Sequence, residues 1–334
     1  MIHKISLDYS YHDIISIENM LEAWKEFLKG KKNKLDVQKF KMNLMDNILE
    51  LHHDLANHNY KHGTYQAFNI NDPKPRNIHK ASVRDRLLHH AIYRILYPFF
   101  DKTFISDSYS CRINKGTHKA INRLKEFAYK VSKNNTKTCW ILKCDIKKFF
   151  ASIDHAVLKQ TLQEYILNEQ ILWLLNQIID SVYSTKPGVG LPLGNLTSQL
   201  LVNIYMNKFD QFAKHKLKAK YYIRYADDFV LLSDNRQKLE NLIPEINDFL
   251  NKQLKLTLHP NKVYIKTMAS GVDFLGWVHF PDHRVLRTTT KRRLLKNVQK
   301  SDASENTIQS YLGLLGHGNT FKLKQAVILY LNGK

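Results

Sequence analysis

Two neighbouring aspartates, Asp227 and Asp228, stand in the run Tyr225-Ala226-Asp227-Asp228-Phe229, and a third, Asp145, closes the apolar run from Cys139 to Ile146. Carboxylates are hard oxygen donors, and a set of them in one place suits a divalent cation such as Mg²⁺. Two such ions about 3.5–4 Å apart can activate an attacking hydroxyl and stabilise the leaving oxygen of an in-line displacement. In a strongly basic chain the natural substrate for that chemistry is a nucleoside triphosphate. Each feature also has a plainer explanation. Adjacent Asp residues are common in turns, whose backbone they tolerate. A lone Asp at a strand end can cap a helix or pair with a lysine, and Lys147 and Lys148 stand beside Asp145.

The carboxylates need elements to carry them. Tyr221, Ile223 and Tyr225 alternate with Tyr222 and Arg224, and Val230, Leu231 and Leu232 follow. That pattern predicts two strands over 220–233 with the aspartate pair at the hairpin tip. The nearly unbroken apolar run over 139–146 predicts a buried strand, and a charge at its end needs a partner or a metal. Elsewhere helical spacing predicts mainly helix over 13–60, with a second stretch from Phe40 to Asn57, and further helices over 83–99, 154–165, 169–182, 196–217 and 236–253. Asn69 to Arg76 reads as a turn, and 185–195, with Pro187, Gly188, Gly190, Pro192 and Gly194, as a loop. Strands are expected near 262–267 and 273–280, and a basic, mostly helical segment from Thr289 onward. Interleaved strands and helices of this kind give an α+β layout.

Composition limits the classes of function. The chain has 334 residues, 43% hydrophobic and 24% charged, as a globular protein does. Its 51 Lys and Arg against 30 Asp and Glu leave a net charge of +21. A polyanion is the partner that such an excess favours, because lysine and arginine displace counterions from phosphates; a solubilising surface is the alternative. The Cys residues, Cys111, Cys139 and Cys144, have neither the number nor the spacing of a disulfide framework or a zinc site. No apolar run is long enough to span a bilayer and Met1 to Ser10 does not read as a signal peptide, so we expect a cytoplasmic protein without membrane contact.

With these residues in place, the chain resembles prokaryotic reverse transcriptases from about residue 65 to 325. Tyr225-Ala226-Asp227-Asp228 matches the polymerase box of that family, and residues 144–150 (CDIKKFF) match the strand with the other catalytic Asp. Residues 190–199 (GLPLGNLTSQ) match the template-and-nucleotide loop, and 258–265 (LHPNKVYI) and 273–277 (DFLGW) match the two motifs that follow. The resemblance implies a right-hand polymerase: an N-terminal helical extension over 1–62, fingers over 63–138, a palm with an antiparallel sheet over 139–281 into which fingers elements are inserted, and a short helical thumb over 282–334. It implies that Asp145 and Asp227 bind two Mg²⁺ ions, or Mn²⁺ in their place, with help from Asp228 and the backbone carbonyl of Ile146. Lys262 would protonate the leaving pyrophosphate, and Phe150 would be the steric gate that selects deoxynucleotides, with core packing as the alternative for Phe149 and Phe150. Lys74, Arg76, Arg84, Arg86, Leu193, Gly194 and Gln199 would face the incoming nucleotide, some of the four basic residues pairing with Asp85 or contacting template instead. Phe274, Leu275, Gly276 and Trp277 would hold the primer end. Residues 108–121 resemble the family motif that touches template and nucleotide.

The pairs Leu193-Gly194 and Ser198-Gln199, together with residues 310–320 (SYLGLLGHGNT), resemble the enzymes of diversity-generating retroelements. That branch implies dNTPs, a template or noncoding RNA, a cDNA product and a small basic accessory protein. Defence-associated bacterial reverse transcriptases are the competing branch, and a non-catalytic RNA-binding scaffold is the competing class. With the chain ending at Lys334, no maturase, endonuclease or RNase H domain is expected.

Overall fold

The computed structural model describes residues 7–71, 75–182, 186–299 and 305–332. Four helices, α1 (Tyr11–Ile15), α2 (Ile17–Phe27), α3 (Leu35–Met42) and α4 (Leu44–Ala56), precede an antiparallel ribbon of β1 (Gln66–Ile70) and β2 (Arg76–Lys80). Helices α5 (Val83–Thr103) and α6 (Thr117–Val131) lead to β3 (Trp140–Asp145). Helices α7 (His155–Gln163), α8 (Glu169–Asp180) and α9 (Leu196–His215) precede β4 (Tyr222–Tyr225) and β5 (Asp228–Ser233). After α10 (Arg236–Leu254) come β6 (Tyr264–Thr267), β7 (Val272–Phe274), β8 (Trp277–His279) and β9 (Arg284–Leu286). Helices α11 (Thr288–Val298), α12 (Glu305–Leu315) and α13 (Phe321–Asn332) follow. The layout is α+β, as the sequence pattern predicts. The backbone forms two compact units: Met1–Ser106 with Ile146–Phe212 and Asn247–Leu258, and Asp107–Asp145 with Ala213–Ile246 and His259–Lys334.

In the first unit the helical stretch expected over 13–60 is broken into four pieces. Ser16 ends α1 and starts α2, its hydroxyl accepting the Asn19 N–H. A serine that satisfies a helix N-terminus in this way competes with continuation of the preceding helix. Ile14, Met20, Phe27, Ile48, Leu51 and Leu88 are fully buried and form the shared core of α1, α2, α4 and α5. Helix α5 starts at a built cap: the Ser82 hydroxyl accepts the Asp85 N–H and donates to the Asp85 carboxylate, which also receives the Tyr60 hydroxyl and the Gly63 N–H. Of the segment read as a turn over 69–76, Asn69, Ile70 and Arg76 belong to the β1–β2 ribbon, which the sequence pattern does not disclose, and 72–74 lie outside the described residues; every β1 residue is exposed.

The second unit holds an antiparallel sheet in the order β4-β5-β3-β6 and a three-stranded sheet in the order β7-β8-β9. Ile141, Ile223, Val230 and Leu232 from the first sheet join Ile121, Leu124 and Phe127 of α6 and Phe274 and Trp277 of the second sheet in one core. The single strand expected over 273–280 is a hairpin. Leu275 and Gly276 take φ of 52° and 87°, which turns the chain within two residues.

Candidate active site

Register places the carboxylates. On β3 and β5 Asp145 lies directly opposite Asp228, and on β4 and β5 Tyr225 lies opposite Asp228. Directly opposed residues on antiparallel strands share a face, with Cβ atoms about 4.5–5.5 Å apart. A two-residue loop, Ala226-Asp227, joins Tyr225 to Asp228, so the third carboxylate follows the second at the tip. Ala226 adopts φ 56°, a left-handed conformation that such loops demand and that glycine meets more cheaply. The loop is clamped from below. Arg224, fully buried, donates from its guanidinium to the Ala226 carbonyl at 3.1 Å and to the Ser108 hydroxyl at 3.0 Å.

Charge accumulates where water is scarce. Burial pushes the Asp228 carboxyl up to about 7; the Lys143 ammonium pulls against that, and the Asp145 and Asp227 charges reinforce it. Lys143 is itself buried. Its ammonium lies 3.3 Å from the Asp228 carboxylate and donates to the Asp273 carbonyl at 2.9 Å. Lys262 donates to the Asp145 carboxylate at 3.1 Å. The Asp273 carbonyl also accepts the Tyr264 hydroxyl at 3.4 Å, and the Asp273 side chain is paired with Arg287. The Phe274–Trp277 hairpin starts one residue later, with Phe274 and Trp277 buried and Leu275 packed against the same core. Thus Asp145, Asp227, Asp228, Lys262 and the 274–277 hairpin all belong to one unit.

The donor set fits a divalent ion. The Asp228 Oδ1 is buried without a hydrogen-bond partner. An orphaned carboxylate oxygen next to two more carboxylates is costly in the bare protein and is relieved by a cation. Among the described residues no group of three or more His, Cys, Asp or Glu side chains is gathered closely enough to hold a metal ion by itself. Mg²⁺ does not require such a group, since it is held by one or two carboxylates together with water and substrate phosphates.

The remaining candidates lie in the other unit. The 186–195 loop is pinned on two sides. Leu191 N–H donates to the Phe150 carbonyl at 2.8 Å, Gly190 N–H to the Ile153 carbonyl at 2.8 Å, and His79 N–H to the Leu193 carbonyl at 3.0 Å. Gly194 takes φ 109°, and a Cβ there would press on Ile78. Phe149 is buried and Phe150 half-buried, so one ring packs into the core and the other keeps an open edge. Gln199 lies in the first turn of α9 and Arg76 is exposed at the start of β2. Arg84 pairs with Asp54 at 2.5 Å and Arg86 with Asp36 at 2.6 Å. Neither pairs with Asp85, contrary to expectation, because the Tyr60, Ser82 and Gly63 donors already occupy that carboxylate. Lys74 lies outside the described residues.

Sequence reasoning missed Lys143 and Arg224 as parts of the site. The available signal was a basic residue inside each of two otherwise apolar strands, which is expensive to bury unless it is paired.

The sequence profile of the family "Reverse transcriptase (RNA-dependent DNA polymerase)" matches residues 61–279. Protein YkfC of Escherichia coli K12 is 25% identical over 247 residues, covering 63% of this chain and 63% of that protein. The group II intron-encoded protein LtrA of Lactococcus lactis subsp. cremoris is 23% identical over 291 residues, covering 67% of this chain and 47% of LtrA. The chain therefore spans less than two thirds of the length of these relatives. Among solved structures, the apo telomerase of Candida tropicalis truncated from its C-terminal domain superposes with a TM-score of 0.50 at 13% identity, covering 67% of this chain and 55% of that one. That likeness is one of fold, the right-hand polymerase fold. Among the described residues no helix is long and apolar enough to cross a membrane. With two thirds of its length matched by the family profile, the chain belongs to the reverse transcriptase (RNA-dependent DNA polymerase) family.

Proposed function

We propose that the chain is an RNA-directed DNA polymerase that extends a primer along an RNA template with dNTPs. The observation that carries this is the opposition of Asp145 and Asp228 across β3 and β5, with Asp227 in the adjoining loop and one Asp228 oxygen left without a partner. Asp145 and Asp227 would hold two divalent ions, Mg²⁺ or Mn²⁺, assisted by Asp228 and the Ile146 carbonyl. When bound, such ions supply activation of the primer hydroxyl and charge neutralisation on the leaving pyrophosphate.

The side chains do the rest. Lys262, held by Asp145 at 3.1 Å, carries the proton for the pyrophosphate oxygen. Phe150 bars a ribose 2′-hydroxyl, the group that distinguishes RNA from DNA precursors. Arg76, Arg84 and Arg86, with Lys74, Leu193, Gly194 and Gln199, face the nucleotide. For Arg84 and Arg86 this requires exchanging the Asp54 and Asp36 carboxylates for phosphate. The 274–277 hairpin seats the primer end at its half-buried turn residues Leu275 and Gly276, with Phe274 and Trp277 buried beneath them.

The biological setting we propose is cDNA synthesis from a noncoding template RNA, as in diversity-generating retroelements, alongside a small basic accessory protein. The Leu193-Gly194 and Ser198-Gln199 pairs and residues 310–320 support it. A defence-associated reverse transcriptase is the alternative within the same chemistry.

Primer extension on an RNA template with Mg²⁺ tests the activity. We expect template-dependent DNA synthesis that Asp227→Asn lowers by about three orders of magnitude or more, while RNA binding persists. Synthesis without template, or full activity of Asp227→Asn, would refute the assignment; RNA binding with no synthesis would identify a scaffold.

A further inference from the structure

The hairpin with the aspartates at its tip has a second feature at its opposite end. There Tyr221, Leu231, Leu232 and Ser233 help line a groove of about 280 Å³. From Asp228 to Ser233 the strand runs roughly 17 Å, so this groove is well removed from the carboxylates. Its floor is apolar, with Leu217, Leu239 and Leu242 all buried. Its rim carries Lys130, Lys133, Lys218, Lys220 and Lys238, against the single acid Asp234. Lys130 is paired with Glu126, but Lys133, Lys218, Lys220 and Lys238 make no ion pair among the described residues.

Two of the rim lysines stand at helix ends, Lys133 after α6 and Lys218 after α9. Lys133 and Lys218 sit at φ of 47° and 52°. Left-handed positions are filled most cheaply by Gly or Asn, and Asn134 and Asn135 beside Lys133 are left-handed too, at φ 62° and 64°. Both lysines close helix ends: the Asn134 N–H donates to the Tyr129 carbonyl and the Ala219 N–H to the Ala213 carbonyl, so the left-handed residue between turns the chain and sets each lysine at the groove's edge.

We propose that this groove binds an unpaired segment of RNA, with phosphates on the rim lysines and a base against the leucine floor and the Tyr221 ring. Among the described residues Lys133, Lys218 and Lys238 hold no ion pair, and the Lys220 ammonium lies 5.5 Å over the Tyr221 ring, which a base would share with it. Such point charges suit a phosphodiester track, whereas carboxylate recognition favours the planar fork of arginine, which this rim lacks. Single-stranded RNA is bound through phosphate contacts and stacking on aromatic side chains. The proposal rests on the polymerase reading only in that it takes RNA as the ligand. It adds an anchoring point for RNA away from the site of synthesis.

The test is a salt titration of binding to a 30-nucleotide RNA hairpin with a single-stranded loop, using the full chain. The groove variant Lys218→Glu/Lys220→Glu/Lys238→Glu is compared with Lys29→Glu/Lys39→Glu/Lys41→Glu, which makes the same change of net charge on exposed lysines of the other unit. The groove variant should bind at least tenfold more weakly, with a slope of log affinity against log salt shallower by about 2, from about 0.7 per lost phosphate contact. The control should keep the wild-type slope. A second variant, Lys133→Gly/Lys218→Gly, relieves two left-handed lysines. It should melt at the same or a higher temperature and still bind RNA more weakly, so that loss of fold cannot account for loss of binding. Equal effects of groove and control variants overturn the proposal. So does RNA binding that survives in the groove variant while binding to poly-glutamate is lost, which would assign the groove to an acidic protein segment. Wild-type primer extension is measured alongside; its absence would sink the polymerase reading and leave the binding comparison standing.

Discussion

The two hairpins of the second unit make a natural pair. Each turns in two residues, and each puts a residue other than glycine at left-handed φ in the first loop position: Ala226 at 56° and Leu275 at 52°. Their flanks differ. Around Ala226-Asp227 stand carboxylates with an unsatisfied oxygen; around Leu275-Gly276 stand Phe274 and Trp277, buried in the core. One hairpin therefore concentrates electrostatic cost at its tip, and the other anchors itself by apolar burial. Lys143 joins them, its ammonium shared between the Asp228 carboxylate and the Asp273 carbonyl. The difference teaches that a reactive tip is held in place by a neighbour that carries no reactive group.

Breaking the apolar hairpin should have the largest effect. Trp277→Ala removes a buried indole and should cost about 3–5 kcal/mol, read as a shift in the denaturant midpoint. Next comes pH. Burial, with Arg284 nearby, pushes the buried His279 down to about 4, although its hydrogen bond to the Phe274 carbonyl opposes this. An unfolded chain with an ordinary histidine takes up the proton first as pH falls from about 6.5, so stability is full above that value and is lost toward pH 4, by up to about 3 kcal/mol. His279→Gln should make the stability profile shallower in that window, where burial also pushes His90 down to about 4, and an unchanged slope would locate the titration elsewhere. Cutting the link should come third. Lys143→Met leaves Asp228 without its cation and should lower kcat about 10- to 100-fold, as loss of a group that orients a metal ligand does. Lys143→Arg should restore part of that loss, and a change in KM alone would contradict a positioning role. The smallest effect belongs to the charged hairpin's backbone: Ala226→Gly should stabilise by about 1 kcal/mol in thermal melts.

Much of the charged hairpin was legible because strand alternation and buried flanks leave few places for two adjacent aspartates. The buried strand ending at Asp145 was legible for the same reason, and so were the amphipathic helices α8 and α10. The β1–β2 ribbon was not, since both of its faces meet solvent at β1 and no apolar alternation marks it. Helix α6 was passed over although Ala120, Ile121, Leu124, Phe127 and Val131 recur at helical spacing. The 273–280 hairpin was read as one strand because Leu275 is a poor signal for a left-handed turn. The pairing of Arg84 and Arg86 with Asp54 and Asp36 joins residues at least 30 positions apart, which no local pattern encodes.

Gly318 lies so close to Trp277 that any side chain there would collide with the indole ring, while the neighbouring His317 carbonyl accepts from Arg284. The chain holds four Trp residues, and Trp277 is the one pressed between a hairpin and this glycine. Its emission is therefore a built-in optical gauge: replacing Trp24, Trp140 and Trp173 by phenylalanine would leave a single tryptophan whose emission reports, in real time, whether the segment around Gly318 is seated.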